Sequence, residues 1–495
     1  MKLYPTSLSR RCAVVLYLLM IGGGHIAPAA DAQAAPEVLA AELPYDIAEV
    51  GLTGRTLIAA PDGKPNAAGT EADPLTLQAA ADQTQPGDTV LARGGVYTNG
   101  GNTFAALNIK NTGTADHWIR YANYPGENPV IRFDSLRGIR VEGACYLVIE
   151  GFEVDGQNEK VDRQAAFEHA ENFTGQDHSQ TRFFGVGIRL STTEPPSDPA
   201  PEGWERTNPH HIIVRGNKVR HTSGGGIASA RGDYLLIENN EIFKTSFYTP
   251  WGGSGISIWQ SANHDDRQDV YRTVIKDNVC YQNDNRVKFW MMKAFSDGNG
   301  IILDALHNSQ ENIIGDGYTT AYNGRILVVN NLCFLNGGRG VNVFESDNID
   351  VIHNTLHFNA QRDNIENEIE LGRTKNTRIF NNIINVASGK QAIGGYQASE
   401  ITTDFNLIHG SRRPHANFPY GEHVVTADPE CVRAPQRAPS GNTPMPMDKV
   451  SFELKTNSPA RAAGTAEHTF PVDHDGNPRD AESAPDLGAF VAEAE

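Results

Sequence analysis

The chain has 495 residues, with 60 acidic against 42 basic side chains and a formal net charge of -18. That balance argues against a nucleic-acid partner, because such binding is driven mainly by neutralising phosphates. No stretch beyond the N-terminal segment is long and apolar enough to span a bilayer, so a membrane span is excluded too.

In chain order, the first segment reads as an export signal. Lys2, Arg10 and Arg11 form a positive start, Cys12 to Ile21 an apolar stretch too short to cross a membrane, and Ala32-Gln33-Ala34 a cleavage site. The Ser9-Arg10-Arg11 triplet leaves both general and twin-arginine export open. The organisation expected is a signal peptide at 1–34, a repeat domain at 35–410 and a C-terminal tail at 411–495 packed on it. The mature protein is expected to be secreted or periplasmic and to act as a monomer. Residues 74–84 read as a short amphipathic helix, and Pro86 to Tyr97 as a turn and a first strand.

The middle of the chain repeats. Two or three β-formers, a polar residue and then Asn recur, placing Asn217, Asn240, Asn278, Asn331, Asn354, Asn382 and Asn406 at equivalent positions. The base period is 23 residues, as from Asn217 to Asn240, and two longer gaps hold insertions. Between these lie Gly-Ile-Arg-Leu at 187–190, Gly-Ile-Ala-Ser at 226–229, Gly-Ile-Ser-Ile at 255–258, Gly-Ile-Ile-Leu at 300–303, Gly-Val-Asn-Val at 340–343 and Glu-Ile-Glu-Leu at 368–371. Apolar positions alternate within each, so one face points inward. No crossover helix fits between such strands. The pattern predicts an all-β, single-stranded right-handed parallel β-helix, a solenoid whose turns carry an asparagine ladder and whose end needs a cap. Cys280 and Cys333 each lie two residues past a ladder Asn and should stack as inward thiols, not as a disulfide.

Two stretches carry a family resemblance. One is Pro61-Asp62-Gly63, Gly69-Thr70, Pro74-Leu75-Thr76-Leu77-Gln78-Ala79-Ala80, Pro86-Gly87-Asp88-Thr89-Val90 and Gly94-Gly95-Val96-Tyr97. The other is Ser458-Pro459-Ala460, Ala463-Gly464-Thr465, Asp475-Gly476-Asn477-Pro478-Arg479 and Asp486-Leu487-Gly488-Ala489-Phe490. Together they resemble secreted β-helix proteins related to family-nine pectate lyases, of the pectin-lyase-like superfamily. The resemblance implies a polysaccharide substrate, a Ca²⁺ cofactor and a lysine base. This sequence departs from the family's Asp-Asp-Gly-x-Asp calcium motif. It has Asp297-Gly298-Asn299-Gly300-Ile301-Ile302-Leu303-Asp304 and, separately, His264-Asp265-Asp266.

Insertions at 157–210, 260–272, 284–298 and 305–324 flank one series of strands and should wall a groove. Its floor is expected to carry Ser191, Ala230, Trp259, Asp304 and Phe344. Trp259 and Phe344 on either side of Asp304 suit a sugar chain, with Arg339, Arg231 and His264 as further substrate contacts. Asp297, Asp304 and Glu345 gather carboxylates that fit either a Ca²⁺ site or a glycosidase acid/base pair. A calcium set of Asp297, Asp304, Asp265 and Asp266 is expected. Lys293 is the catalytic base that the resemblance implies, with Lys288 and Arg286 in the same loop. The leading expectation is a polysaccharide lyase that cleaves a uronate-containing polymer by β-elimination, with a glycoside hydrolase using the paired carboxylates as the alternative; C5-epimerisation (the His264-Asp265-Asp266 segment is weakly similar to mannuronan C5-epimerases) and glycan binding without catalysis come behind them.

Overall fold

The computed structural model describes residues 50–492 apart from 176, 198–199, 310–316, 413, 415–416, 437–444 and 480–482. The expected export segment, 1–34, lies outside the described residues, as do parts of the 305–324 insertion and of the tail. The described residues fall within a unit spanning Pro36–Glu495. Three long parallel sheets, of 11, 9 and 10 strands, run along it. One coil shows the logic: Ile227–Ala230 lies in the 9-stranded sheet, Asp233–Glu238 in the 11-stranded sheet and Glu241–Phe243 in the 10-stranded sheet. Every strand then pairs with its equivalents one coil before and after. No helix among the described residues is long and apolar enough to cross a membrane.

β-Branched residues at alternate positions drive this winding. Ile188, Ile227, Ile256, Ile301, Val341 and Ile369 pair in one register along the 9-stranded sheet. All are fully buried in the continuous core. Burying one such side chain contributes roughly 1.5–3 kcal/mol relative to leaving it exposed, and stacking repeats that gain along the solenoid.

The turns between the 11- and 10-stranded sheets hold the predicted ladder. The Asn278 Oδ1 accepts from the Asn240 backbone N at 3.1 Å and from its Nδ2 at 2.9 Å, and the Asn278 amide repeats the arrangement on Asn331. The chain of bonds runs unbroken from Asn217 to Asn406. Residues just before the ladder asparagines, such as Gly216, Asn239, Asp277 and Asn330, have φ of 54 to 60°. Gly, Asn and Asp adopt that left-handed conformation at least cost. A second ladder, which the sequence reading missed, joins Thr245, Asn283, Asn336 and Asn359. It ends where the Asn359 Nδ2 donates to Glu368 Oε2 at 2.8 Å.

The cap and the thiols are found as expected. α1 (Leu77–Gln83) starts at Thr76, whose Oγ1 accepts from the Ala79 N–H, and it buries Leu77, Ala80 and Ala81 against the first coils. Cys280 and Cys333 are cross-strand partners, both buried and both free. The chain after His409 runs back along the solenoid. The Asn330 Nδ2 donates to the Val472 carbonyl and the Asn381 Nδ2 to the Thr465 carbonyl, while Phe452 packs on Phe334.

Candidate functional site

The outer face of the 9-stranded sheet forms the floor of the candidate site. Ala230, Trp259, Asp304, Phe344, Gly372 and Tyr396 are successive cross-strand partners in one row. Strand alternation aims each of them away from the core, because Ile258, Leu303 and Val343 on the same strands are buried inward. Trp259 and Phe344 therefore flank Asp304 one strand spacing away on either side, about 4.8 Å in a sheet.

Asp304 is the chemically distinctive member. It keeps accessible surface, yet its carboxyl has no hydrogen-bond or ion-pair partner among the described residues. Burial raises its pKa first, and the charges of Asp297 and Glu345 raise it further, to about 8. The carboxyl is thus held protonated at neutral pH. Asp297 enters from the preceding loop. Its Oδ2 accepts from Ser296 Oγ at 2.5 Å, and its backbone N donates to Asn285 Oδ1. Burial raises the Asp297 pKa as well, while Ser296 and Arg339 pull it back. Asp297 also rests on Gly252, where an added Cβ would stand 2.4 Å from the Asp297 Oδ2. Glu345 is only 4% exposed and pairs with Arg373 at 2.9 Å, so it is an inward carboxylate and not a surface one. Arg373 in turn lies over the Phe344 ring at 5.1 Å.

The other predicted residues are placed differently. Lys293 is exposed, and its Nζ donates to the Glu171 carbonyl at the end of α2 (Arg163–Asn172), on the rim instead of beside Asp304. Lys288 is exposed, and Arg286 lies over the Phe247 ring at 3.6 Å. Arg339 forms a bidentate grip on Glu370 Oε2 through Nε and Nη2, and its Nη1 donates to the Ser296 carbonyl. It therefore positions the Asp297 loop. Arg231 corrects the sequence expectation: it is 1% exposed and donates to Gln260 at the start of the 260–272 insertion and to Asn308 and Tyr318 in the 305–324 insertion. A buried guanidinium already committed to loop acceptors cannot take a substrate carboxylate.

The expected calcium set does not assemble. Asp265 accepts the Tyr234 hydroxyl at 2.8 Å, and Asp266 is approached by the Asn323 amide at 3.3 Å. Both belong to the 260–272 insertion beside the 11-stranded sheet, apart from Asp297 and Asp304. His264 shares that insertion and stands against His210, its ring centroid 4.0 Å away. Calcium wants six to eight oxygen ligands around one point, and these four carboxylates stand in two places.

Two cations that the sequence reading passed over lie on the same floor. Arg189, cross-strand to Ala228, lies over Trp259 at 5.9 Å and has no carboxylate partner among the described residues. Burial and the repulsion of Arg137 and Arg140 push its pKa down, although a guanidinium stays charged at any physiological pH. The Arg137 Nη1 donates only to the Leu136 carbonyl, while Arg140 is paired with Glu142 and Glu194. The signal was present in Gly-Ile-Arg-Leu at 187–190, which repeats the Gly-Ile-Arg-Val of 138–141 and sets Arg189 beside Arg140 at the same outward position.

A separate cavity of about 600 Å³ lies at the turns between the 10- and 9-stranded sheets, lined by Lys244, Asp284, Arg286 and Arg362 among others. Its acids already have partners: Arg362 grips both Asp284 oxygens at 2.7 and 2.5 Å, and Glu159 lies 3.5 Å from the His221 Nδ1. The groove floor, with an acid and a cation that have no charged partner among the described residues, is the better candidate.

A family model described as Pel9A-like, right-handed beta helix region matches residues 57–198. Another, described as right-handed beta helix region, matches residues 204–408. The crystal structure of pectate lyase Pel9A is similar over 89% of this chain and 97% of that one, at 17% identity and a TM-score of 0.51. The structure of XylC with xylose is similar over 89% and 99%, at 10% identity and a TM-score of 0.44. That of alginate lyase from Paenibacillus sp. str. FPU-7 is similar over 75% and 99%, at 13% identity and a TM-score of 0.37. No curated protein matches the chain in sequence. At these identities the likeness is one of fold.

Proposed function

From the premise that this chain is a pectin-lyase-like right-handed β-helix protein, we propose that it is an exported enzyme that hydrolyses glycosidic bonds in a polysaccharide lying along the 9-stranded sheet. The unpaired Asp304 carboxyl, held protonated to about pH 8 by burial and by Asp297 and Glu345, carries the reading. Burial raises both carboxyls, but Ser296 and Arg339 favour the ionised form of Asp297 while nothing does so for Asp304, and such a difference in surroundings suits a division of acid and base work between them. The fold's likeness to a pectate lyase adds a carbohydrate polymer as the substrate class.

In this mechanism, sugar rings stack on Trp259 and Phe344 and place the scissile bond over Asp304. Asp304 gives its proton to the glycosidic oxygen as the C1–O bond breaks. Asp297, steadied by Ser296 and by the Arg339-held loop, supplies the negative charge opposite the developing oxocarbenium ion. It acts either on water or on C1, and the anomer released tells which. Arg189 and Arg137 favour an acidic sugar at the neighbouring position, where a guanidinium can grip a carboxylate in bidentate fashion.

Those same two cations favour β-elimination as a second reading. A uronate carboxylate neutralised by Arg189 would have a more acidic C5 proton, and Asp304 would then have to act in its ionised form. A panel of neutral and uronate polysaccharides, with and without chelator, separates the two. Hydrolysis gives new reducing ends without near-ultraviolet absorbance and without chelator sensitivity. Unsaturated, absorbing products would overturn it in favour of elimination, and their loss on chelation would support the calcium expected from the sequence.

A further inference from the structure

We propose that His210, His211 and His264 form a binding site for a divalent transition metal such as Zn²⁺, which clips the 260–272 insertion onto the solenoid. The ligand nitrogens of the three rings lie within 4.8 Å of one another. His210 and His211 are neighbours on the strand His210–Arg215, where alternation would normally send their side chains to opposite faces. At His211, φ is 52°, which breaks the alternation, and the two Nδ1 atoms meet at 2.9 Å. A tetrahedral site with Zn–N bonds of 2.0–2.1 Å places its ligand nitrogens roughly 3.3 Å apart, so a small ring rotation converts the shared hydrogen bond into two metal bonds.

The third ring is delivered by the insertion and held in place. The His264 backbone N donates to Asp233 Oδ2 at 2.7 Å. Asp233 is itself buried, paired with Arg272 and accepting the Tyr322 hydroxyl at 2.7 Å. His264 then sits 4.0 Å from His210 and 5.2 Å from His211, centroid to centroid. Tyr146 and Tyr234 stack on the two faces of His211 at 4.9 and 4.5 Å, which fixes the plane of that ring. Asp265 accepts the Tyr234 hydroxyl beside the cluster and supplies negative charge in its outer shell.

The chemistry of the donors selects the metal class. Three neutral imidazoles suit Zn²⁺, Cu²⁺ or Ni²⁺ and disfavour calcium, which prefers oxygen. Three protein ligands leave a fourth position open to water.

The test uses the chain without a polyhistidine tag, stripped with chelator and titrated with Zn²⁺ by calorimetry. One equivalent should bind, with Ca²⁺ failing to compete, and the melting temperature should rise on loading. His264→Ala, on the exposed insertion, should weaken Zn²⁺ binding at least 10-fold and abolish that rise, and His210→Ala should do the same. Absence of stoichiometric uptake by the parent chain, or parent-like affinity in both variants, would overturn the site.

Discussion

Two rows of side chains run along the same coils in the same register, and they obey opposite rules. At the ladder turn, each coil from Asn217 to Asn406 supplies the same residue. Each amide there is saturated: the Asn278 Nδ2 donates to the Ile237 and Lys276 carbonyls as well as to Asn331. On the groove floor each coil supplies a different residue, Ala230, Trp259, Asp304, Phe344, Gly372 and Tyr396 in turn. Asp304 at its centre is left without a partner. In a solenoid, a position that repeats its residue satisfies the backbone, because every coil presents the same orphan groups. A position that keeps its register but changes its residue is free to address something outside the fold. The two rows should therefore separate stability from activity under mutation.

The largest expected effect is on activity. Asp304→Asn keeps the shape and removes the proton, and general-acid catalysis contributes typically 10²- to 10⁴-fold. A fall in kcat/KM of about 10³-fold on the cleaved polymer is expected, with no loss of stability. The pH dependence has a definite sign. A carboxyl whose pKa rises on folding stabilises the fold fully below its unfolded value, and loses that contribution as pH rises through about 8. The Asn variant should therefore gain melting temperature relative to the parent as pH increases over that window. Asn331→Ala should do the reverse. It leaves the Asn278 backbone N–H without its acceptor and opens the Ile275 and Val329 carbonyls. At about 1–3 kcal/mol per buried unsatisfied group, denaturant unfolding should show a loss of several kcal/mol, while cleavage well below the melting temperature stays near the parent rate. Parent-like stability in Asn331→Ala, or a destabilised Asp304→Asn, would break the contrast between the rows.

A smaller effect sharpens the contrast from within the site. Gly252 has φ of 76°, and an added Cβ would meet the Asp297 carboxylate at 2.4 Å. Gly252→Ala must therefore displace Asp297. Activity should fall about 10-fold, in line with the strong distance dependence of positioned groups, and kcat should fall more than KM rises.

The rows also differ in how far the sequence exposes them. The ladder was legible because identity and spacing both repeat. The Ile and Val strands were legible because burial imposes a period of two, and that register alone put Trp259, Asp304 and Phe344 in one row. The second ladder shares the spacing of the first, five residues further on, and escaped notice because it is short and its first member is Thr245 instead of an asparagine. Loop-borne groups were the least legible. The directions of Lys293, Arg231 and Asp265 depend on which insertion folds over which coil, and nothing in local spacing encodes that. Arg189 stands in the sequence as an outward cation but has meaning only beside Trp259 two coils on. The histidine cluster needs a left-handed His211 and an insertion that returns to its own strand, both invisible to periodicity.

The smallest expected effect concerns how three carboxylates share charge. Burial is the first cause of the raised Asp304 pKa, Asp297 the second and Glu345 the third. Because Glu345 is paired with Arg373, only part of its charge reaches Asp304. Glu345→Gln removes that part and also frees the Arg373 guanidinium, and both changes favour the ionised form of Asp304. The alkaline limb of the kcat profile, expected near pH 8 for the parent, should move to lower pH in Glu345→Gln, with the plateau rate little changed. Asp297→Asn removes the larger of the two charge effects on Asp304, so calorimetric titration of Asp304 should show a larger downward shift there. A limb that stays fixed in Glu345→Gln would mean that burial alone sets the acid, and that the carboxylate one coil away belongs to the architecture and not to the chemistry.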